Sequence, residues 1–134
     1  MKTIKFLLVL MLPVPFYFGC EEKEAEIPPD ISFKTGSGYT SADVTVAPDS
    51  SLTVGIIAIN REDDLKTYNV SVAYDGATTT TTIENFTISE SEKDRYEKDV
   101  TFKVRDQAGT EKYYFTITDS DGNIAQLSIM VTVE

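Results

Sequence analysis

The chain has 134 residues, of which 22 are acidic and 12 basic, giving a formal net charge of −10. It has no histidine, and Cys20 is its one cysteine, which excludes Ser-His and Cys-His nucleophiles, zinc held by His or Cys, and an internal disulfide bond. A field of this sign repels phosphate backbones, so we expect no nucleic-acid partner, and we predict no cofactor and no metal.

Residues 1–19 have the pattern of a secretory signal peptide. Lys2 and Lys5 supply a positive start, and an uncharged apolar run covers residues 6–18. That run is shorter than the roughly 20 residues that a helix needs to cross a bilayer, and the two prolines within it disfavour a lasting helix. We therefore predict a cleaved signal and not a membrane-spanning segment.

Cys20 stands at the end of the apolar run, directly before a strongly polar stretch. The Gly19-Cys20 junction resembles the lipobox of bacterial lipoproteins. That resemblance implies cleavage before Cys20 and attachment of lipid to its sulfur, which makes the membrane the first predicted partner. Several acyl chains on one residue are enough to hold a soluble domain at a membrane. The alternative is an ordinary signal peptide followed by an incidental cysteine.

Residues 20–30 form a predicted tether. Four glutamates within six residues and the Pro28-Pro29 pair favour an extended, solvated segment. The acidic residues directly after Cys20 also resemble the surface-export signal of Bacteroidetes-type lipoproteins. This resemblance implies a lipid anchor in the bacterial outer membrane with the domain exposed on the cell surface. The alternative is a plain linker.

Residues 31–134 alternate apolar and polar side chains with a period of two, which is typical of strands that have one buried face. Asp75-Gly76 and Asp121-Gly122 are hairpin dipeptides, and a helical turn is a weaker expectation over Ser89–Arg95. We predict an all-β domain, an antiparallel immunoglobulin-like sandwich of seven or eight strands. The candidate segments are 31–34, 44–47, 51–60, 66–75, 78–83, 85–88, 97–105, 111–118 and 123–133.

The segment from Tyr114 to Asn123, with the alternating strand that runs on to Val133, resembles the last hairpin of PKD-like and other bacterial immunoglobulin-like domains. Residues 39–43 followed by 52–56 resemble small Bacteroidetes lipoproteins. Both resemblances imply a sandwich fold and carry almost no information on function. The tryptophan and the cysteine pair of antibody-type domains are missing, so the match is to the looser architecture.

Asp119, Asp121 and Asn123 have the spacing of the first three ligands of a calcium loop. The glycine and glutamate required later in such a loop are replaced by Ile124 and Met130, so a hairpin turn is favoured over a calcium site. Two carboxylate clusters are the only acid–base groups left for a hydrolase. They are more simply explained as solvated loops; their members are Glu62, Asp63 and Asp64, and Glu90, Glu92 and Asp94.

Thr78–Thr82 is a run of five threonines, for which an edge strand is the preferred interpretation and a hydroxyl ladder for a ligand the alternative. The aromatic residues divide by register. The core-facing set is Tyr68, Tyr74, Phe102 and Phe115; the set expected at the surface is Tyr39, Tyr96 and one of Tyr113 and Tyr114. An exposed tyrosine can stack on a sugar ring.

These observations predict a non-catalytic, lipid-anchored envelope domain for binding or adhesion, with a protein or a glycan as ligand. The alternatives are a glycan-binding accessory of a polysaccharide-uptake system, a structural subunit of an envelope complex and, least favoured, a small hydrolase. Cys20 is the one residue to which the sequence assigns a specific site, that of lipid attachment.

Overall fold

The computed structural model describes Gly19 and residues 26–134. The predicted signal peptide, Cys20 and most of the tether therefore lie outside the described residues. Within the described part there are eight strands and no helix, which confirms the all-β prediction. The strands are β1 (Asp30–Phe33), β2 (Val44–Val46), β3 (Ser51–Ile59), β4 (Leu65–Tyr74), β5 (Thr81–Thr87), β6 (Arg95–Lys103), β7 (Gly109–Asp119) and β8 (Ile124–Val133).

The strands form two sheets, with orders β1-β3-β6 and β2-β8-β7-β4-β5. Every neighbouring pair is antiparallel except β2 and β8, which run parallel. The first extended part of the chain thus contributes β1 to one sheet and β2 to the other. Two packed sheets with this connectivity make an immunoglobulin-like β-sandwich.

The core lies between the sheets and is built from one face of each strand. On β7 every second residue is buried, because successive side chains of a strand point to opposite faces, and the second half of β8 alternates in the same way. On β4 the alternation is interrupted, since the four successive residues from Val70 to Ala73 are all buried. Phe115 is fully buried and packs edge-to-face on Phe33, with ring centroids 5.6 Å apart. Tyr113 stacks on Phe102 at 4.1 Å, so aromatic pairs join the two sheets.

Three predicted details were wrong. The two segments predicted at 78–83 and 85–88 are one strand, β5, which begins only at Thr81. β6 begins at Arg95 and not at residue 97, and Tyr96 is therefore buried in the core and not exposed. Tyr96 shares its register with Val100 and Phe102, and burial raises its pKa to about 12. Ser89–Arg95 contains a hydrogen-bonded turn, in which the amide of Glu92 donates to the carbonyl of Ser89, and no helix.

β5 and β6 are the outer strands on one side of the sandwich. β5 is almost wholly exposed, and its pairing with β4 is interrupted by a bulge at Ile83. The solvent-facing side of β6 carries mostly charged residues, with Arg95, Glu97 and Asp99 at alternate positions. Bulges and charges of this kind discourage edge-to-edge pairing with other chains.

The two ends of the sandwich differ in their distance along the chain from the predicted tether. β1 starts beside the end of β3, so the segments 60–64, 88–94 and 120–123 surround the point where the chain enters the fold. We call this the entry end. The turns at 47–50 and 75–80 lie at the opposite end, which we call the far end.

A buried carboxylate closes the far end. The side chain of Glu111 is fully buried and accepts hydrogen bonds from the amide and Nε of Arg105, both at 2.9 Å, and from the hydroxyl of Tyr113. The same guanidinium binds both carboxylate oxygens of Asp75 and lies over the ring of Tyr74. Because each charge has a partner, the cluster ties β4, β6 and β7 together at low electrostatic cost.

Candidate functional site

The outer face of the five-stranded sheet is polar and almost uncharged. Its side chains alternate with the buried ones, and most of them are hydroxyl or amide residues. We call this surface the polar face. Its paired residues are Thr45 on β2; Ile124, Gln126, Ser128, Met130 and Thr132 on β8; Thr110, Lys112, Tyr114, Thr116 and Thr118 on β7; Thr67, Asn69, Ser71 and Ala73 on β4; and Thr82, Asn85 and Thr87 on β5.

Tyr114 lies near the centre of the polar face. The strand register places Ser128 of β8 on one side of it and Ser71 of β4 on the other. Both neighbours are short; Ser128 is exposed, Ser71 is buried, and Tyr114 itself is partly exposed. The Nζ of Lys112 lies 5.3 Å from the ring centroid, a cation–π distance that helps to hold the ring in place.

A row of amides and a hydroxyl crosses the sheet next to Tyr114. Gln126, Thr116, Asn69 and Asn85 are paired in sequence on β8, β7, β4 and β5. We call these four residues the amide row. Nε2 of Gln126 donates to Oγ1 of Thr116 at 2.8 Å, which leaves the amide oxygen and one N–H hydrogen of Gln126 outside that bond. Nδ2 of Asn69 donates to Oγ1 of Thr82 at 3.5 Å, which likewise leaves one N–H hydrogen and the amide oxygen outside that bond. Gln126 and Asn69 can therefore each donate to one ligand group and accept from another.

The polar face carries far less charge than the rest of the chain. Among its paired residues none is Asp or Glu, although the sequence has 22 acidic residues, and Lys112 is the one charged side chain. An open, uncharged surface of this kind costs little to desolvate compared with one that carries carboxylates. The face is thus suited to a ligand that offers hydroxyl groups and apolar edges.

The outer face of the three-stranded sheet is different, because its polar groups are bonded to one another. Asp99 accepts hydrogen bonds from Nζ of Lys34 and from the hydroxyl of Tyr39, each at 2.9 Å. Lys34 also pairs with Glu97 at 3.4 Å. The cluster lies over Gly55, where an added Cβ would come within 2.7 Å of Asp99 and Lys34 and within 2.8 Å of Tyr39.

These contacts shift the ionisation of the cluster. Hydrogen bonds from Lys34 and then from Tyr39 lower the pKa of Asp99, and the bond to Asp99 raises the pKa of Lys34 and of Tyr39. Each shift favours the ion pair or the bonded hydroxyl already present. The surface is internally satisfied and offers a ligand few unused groups.

The two predicted carboxylate clusters meet at the entry end. Lys93 pairs with Asp64 at 3.1 Å and with Glu90 at 3.5 Å, so one lysine joins both clusters. Asp94 accepts from the side-chain amide of Asn60, and Glu92 accepts from the hydroxyl of Ser89. Four of the acids are thus engaged with donors from these two loops; they are Asp64, Glu90, Glu92 and Asp94. Within the described residues no group of three potential metal-ligating side chains stands close enough to hold a metal.

Asp119 forms a turn with the residues that follow it. One carboxylate oxygen accepts the amides of Asp121 and Asn123, at 3.1 and 2.8 Å, and the other accepts the side-chain nitrogen of Asn123 at 3.1 Å. Asp119 is buried while Asp121 is exposed. This geometry supports the turn interpretation, because the donors of the loop point at the oxygens that a calcium ion would require.

The threonine run and the tyrosines predicted at the surface differ in exposure. Of the threonine run, Thr78–Thr80 lies in the exposed β4–β5 loop, and only Thr81 and Thr82 belong to the edge strand. Tyr113 is buried and Tyr114 is the outward-facing member of the pair. Tyr39 is partly exposed, and its hydroxyl is occupied by Asp99.

Sequence reasoning overlooked Glu111 and the amide row. Glu111 shares its register with Tyr113 and Phe115, so a charged residue at a core position was the available signal. The sequence shows that polar residues alternate along β4 and β8, but it does not show which strands are neighbours. The amide row forms only because these strands each pair with β7.

No protein-family model and no curated protein sequence matches the chain. Its fold is similar to that of a chitin binding domain from Burkholderia pseudomallei, with a TM-score of 0.53, 10% identity, and coverage of 70% of this chain. The chain spans 58% of the length of that relative.

Two further solved structures align with the chain at TM-scores below 0.5. One is a chain of the complex between zinc 2-glycoprotein and prolactin inducible protein from human seminal plasma, with a TM-score of 0.47, 8% identity and coverage of 85% of this chain and 100% of that one. The other is murine CRIg, with a TM-score of 0.37, 10% identity and coverage of 79% and 96%. At these identities the likeness concerns the fold alone.

Among the described residues, none forms a helix with the length and apolar character required to cross a membrane.

Proposed function

We propose that the protein is a non-catalytic binding or adhesion domain that a lipid on Cys20 holds at the bacterial outer membrane. The observation that carries the binding part is the polar face, a broad, carboxylate-free surface on an otherwise acidic chain. Depletion of charged residues around an aromatic side chain is the compositional feature of the core of an interaction site. The domain has a rigid sandwich on which such a surface is held in a fixed arrangement.

The anchor is supported by the sequence around Cys20. It is the only cysteine of the chain, it follows a short apolar run, and an acidic, proline-containing stretch separates it from Asp30, where β1 begins. Nine residues lie between Cys20 and Asp30, so their Cα atoms are at most about 36 Å apart when the spacer is extended. Such a spacer lets the domain reorient above the membrane while the entry end stays near it.

Membrane fractionation of the source cells tests the anchor. The wild-type protein is expected in the outer-membrane fraction and to incorporate labelled palmitate, whereas Cys20→Ala releases it and abolishes labelling. Ser37→Ala, in an exposed loop of the domain, serves as a matched control that leaves both properties unchanged. Retention of unlabelled Cys20→Ala protein in the membrane would contradict the lipid anchor.

Protease treatment of intact cells tests exposure at the surface. Loss of the protein while a periplasmic marker stays intact is the expected result. Survival of the protein until the outer membrane is broken would place the domain in the periplasm and remove the adhesion role.

A glycan-binding accessory of a polysaccharide-uptake system is the second candidate. It is favoured by the presence of Tyr114 beside the amide row, because an aromatic ring and amides are the groups that bind sugars. The similar fold of a chitin binding domain agrees with this candidate and adds nothing on specificity, since the likeness concerns the fold alone. Co-purification of a stable protein complex instead of glycan binding would favour a structural role.

A further inference from the structure

We infer that the polar face binds an extended, uncharged polysaccharide across strands β8, β7, β4 and β5, with Tyr114 as its stacking platform and the amide row as its hydrogen-bonding partner. This inference rests on the proposed binding function and names the ligand class for the same surface. It assigns a role to Tyr114, Gln126, Asn69 and Asn85.

An aromatic residue and the amide row lie next to each other on the polar face. Tyr114 and Thr116 are two residues apart on β7 and lie on the same face, so their Cα atoms are separated by about 6.7 Å. A sugar presents apolar C–H groups on the faces of its ring and hydroxyls around its edge. A pyranose lying on Tyr114 therefore places edge hydroxyls toward the amide row, where each amide can both donate and accept.

The open shape of the polar face favours a long ligand. Sites for small molecules are usually concave and enclose most of the ligand, whereas the polar face is the open side of a sheet. The amide row runs over four adjacent strands, which corresponds to about 14 Å at the usual strand spacing. This length exceeds one sugar ring, so a polymer makes more contacts on it than a monosaccharide does.

The charge of the protein favours an uncharged ligand. After removal of the leader, the chain would carry ten basic and 22 acidic residues, a net charge of −12, which repels polyanions at long range. Lys112 is the one cation among the paired residues of the polar face and is held over Tyr114 at 5.3 Å. The paired residues include no basic cluster that would attract a polyanion, and the Asp43 carboxylate, which accepts the amide of Met130 at 2.8 Å, adds a negative charge beside the face. A polyanion therefore gains nothing here that a neutral chain does not.

Affinity electrophoresis tests the inference with the full-length protein purified in non-ionic detergent. Native gels contain hydroxyethyl cellulose, barley β-glucan, galactomannan or glycol chitin as neutral probes, and polygalacturonate as the charged one. We expect at least one neutral polymer to slow the wild-type protein and polygalacturonate not to slow it.

Variants then locate the site. Tyr114→Ala is expected to weaken binding about tenfold or more, because a stacked aromatic contact and its buried area are lost. Tyr114→Phe keeps the ring and most of the affinity, and Asn69→Ala on the amide row weakens binding. Tyr39→Ala, a partly exposed tyrosine on the opposite sheet, is the matched control and leaves binding unchanged. Thermal melting establishes that each variant is folded.

Three results would overturn the inference. They are equal retardation of the Tyr114→Ala and Tyr39→Ala variants, retardation by polygalacturonate alone, and no retardation of the folded wild-type protein by any of the neutral polymers. None of them affects the fractionation result for Cys20. If a protein ligand binds the polar face and Tyr114→Ala abolishes that binding, the inference of a polysaccharide ligand is wrong. The proposed function as a binding domain then still stands.

Discussion

Arg105 and Asp75 are joined by two parallel hydrogen bonds, from Nη1 to Oδ2 at 3.0 Å and from Nη2 to Oδ1 at 3.1 Å. The pair links the end of β4 to the segment that follows β6. Through its Nε atom the same guanidinium also satisfies the fully buried Glu111. The far end of the sandwich therefore depends on one arginine.

Replacement of Arg105 by methionine is expected to lower the free energy of unfolding by about 2 kcal/mol, because it leaves a buried carboxylate with fewer donors. Urea denaturation measures the change. Lys103→Met is the matched control, since the ion pair of Lys103 with Asp49 is exposed on both sides and contributes about 0.5 kcal/mol or less. Equal effects of the two substitutions would show that the buried carboxylate does not depend on Arg105.

Stability is expected to fall in acid. Hydrogen bonds from Arg105 and then from the amide of Thr110 lower the pKa of Asp75, and bonds from Lys34 and then from Tyr39 lower that of Asp99. A carboxyl whose folded pKa lies below its unfolded value of 3.8 stabilises the fold above that pH. The contribution is lost as the pH falls below 3.8 and through the folded pKa.

The free energy of unfolding is measured by circular dichroism at several pH values between pH 6 and pH 2. These roughly four pH units cover the range in which carboxyl groups titrate. Asp75→Asn is expected to flatten the acid limb, because the substituted side chain no longer titrates. An acid limb as steep as that of the wild-type protein would assign the loss to other carboxyls.

Tyr68→Phe is expected to stabilise the protein by about 1 kcal/mol. The hydroxyl of Tyr68 is buried and has no hydrogen-bond partner among the described residues, so its removal ends an uncompensated desolvation. Tyr113→Phe is the matched comparison and is expected to destabilise, since that hydroxyl donates to Glu111. Differential scanning calorimetry distinguishes the two, and a loss of stability in Tyr68→Phe would indicate a bound water.

Gly55→Ala is expected to destabilise the fold by about 1–3 kcal/mol through overpacking. The new methyl group would come within 2.8 Å of Tyr39 and closer still to Asp99 and Lys34. A double-mutant cycle with Tyr39→Ala checks the cause, because removal of the tyrosine ring relieves part of the clash. Additive effects of the two substitutions would contradict this contact as the source of the cost.

Asp119→Ala is expected to cost about 1–3 kcal/mol, since three N–H donors of the β7–β8 turn lose their acceptor. Millimolar calcium is expected to leave the melting temperature of the wild-type protein unchanged. A calcium-dependent rise that disappears in Asp119→Ala would instead establish a cation site, by the usual linkage between binding and stability.

Alternation along single strands was sufficient to predict much of the fold. β8 and β7 were delimited closely, because their apolar residues recur at every second position and glycine-containing turns flank them. Tyr96 was misplaced because the polar residues on either side of it hid the start of β6. Extending the alternation backward from Val100 would have put Tyr96 on the buried side.

The candidate site was less predictable, for a physical reason. Thr116, Gln126 and Asn69 come together through pairing between strands, and the residues that pair β4 with β7 are 37 to 54 positions apart. A single sequence shows which residues of one strand share a face, but not which strands pair or in what register. The sequence predicted that one of Tyr113 and Tyr114 is exposed. Only the register of β7 in the sheet shows that it is Tyr114.

The bulge at Ile83 has a consequence for how densely the protein can be displayed. Chains anchored in one membrane share a thin layer, in which the effective concentration of each for its neighbours is far higher than in solution. A long, regular edge would template sheet growth between them. On the proposed lipid anchor, the bulge on β5 and the charges on β6 would interrupt that growth at these two edges, which favours separate molecules whose polar faces stay open to the medium.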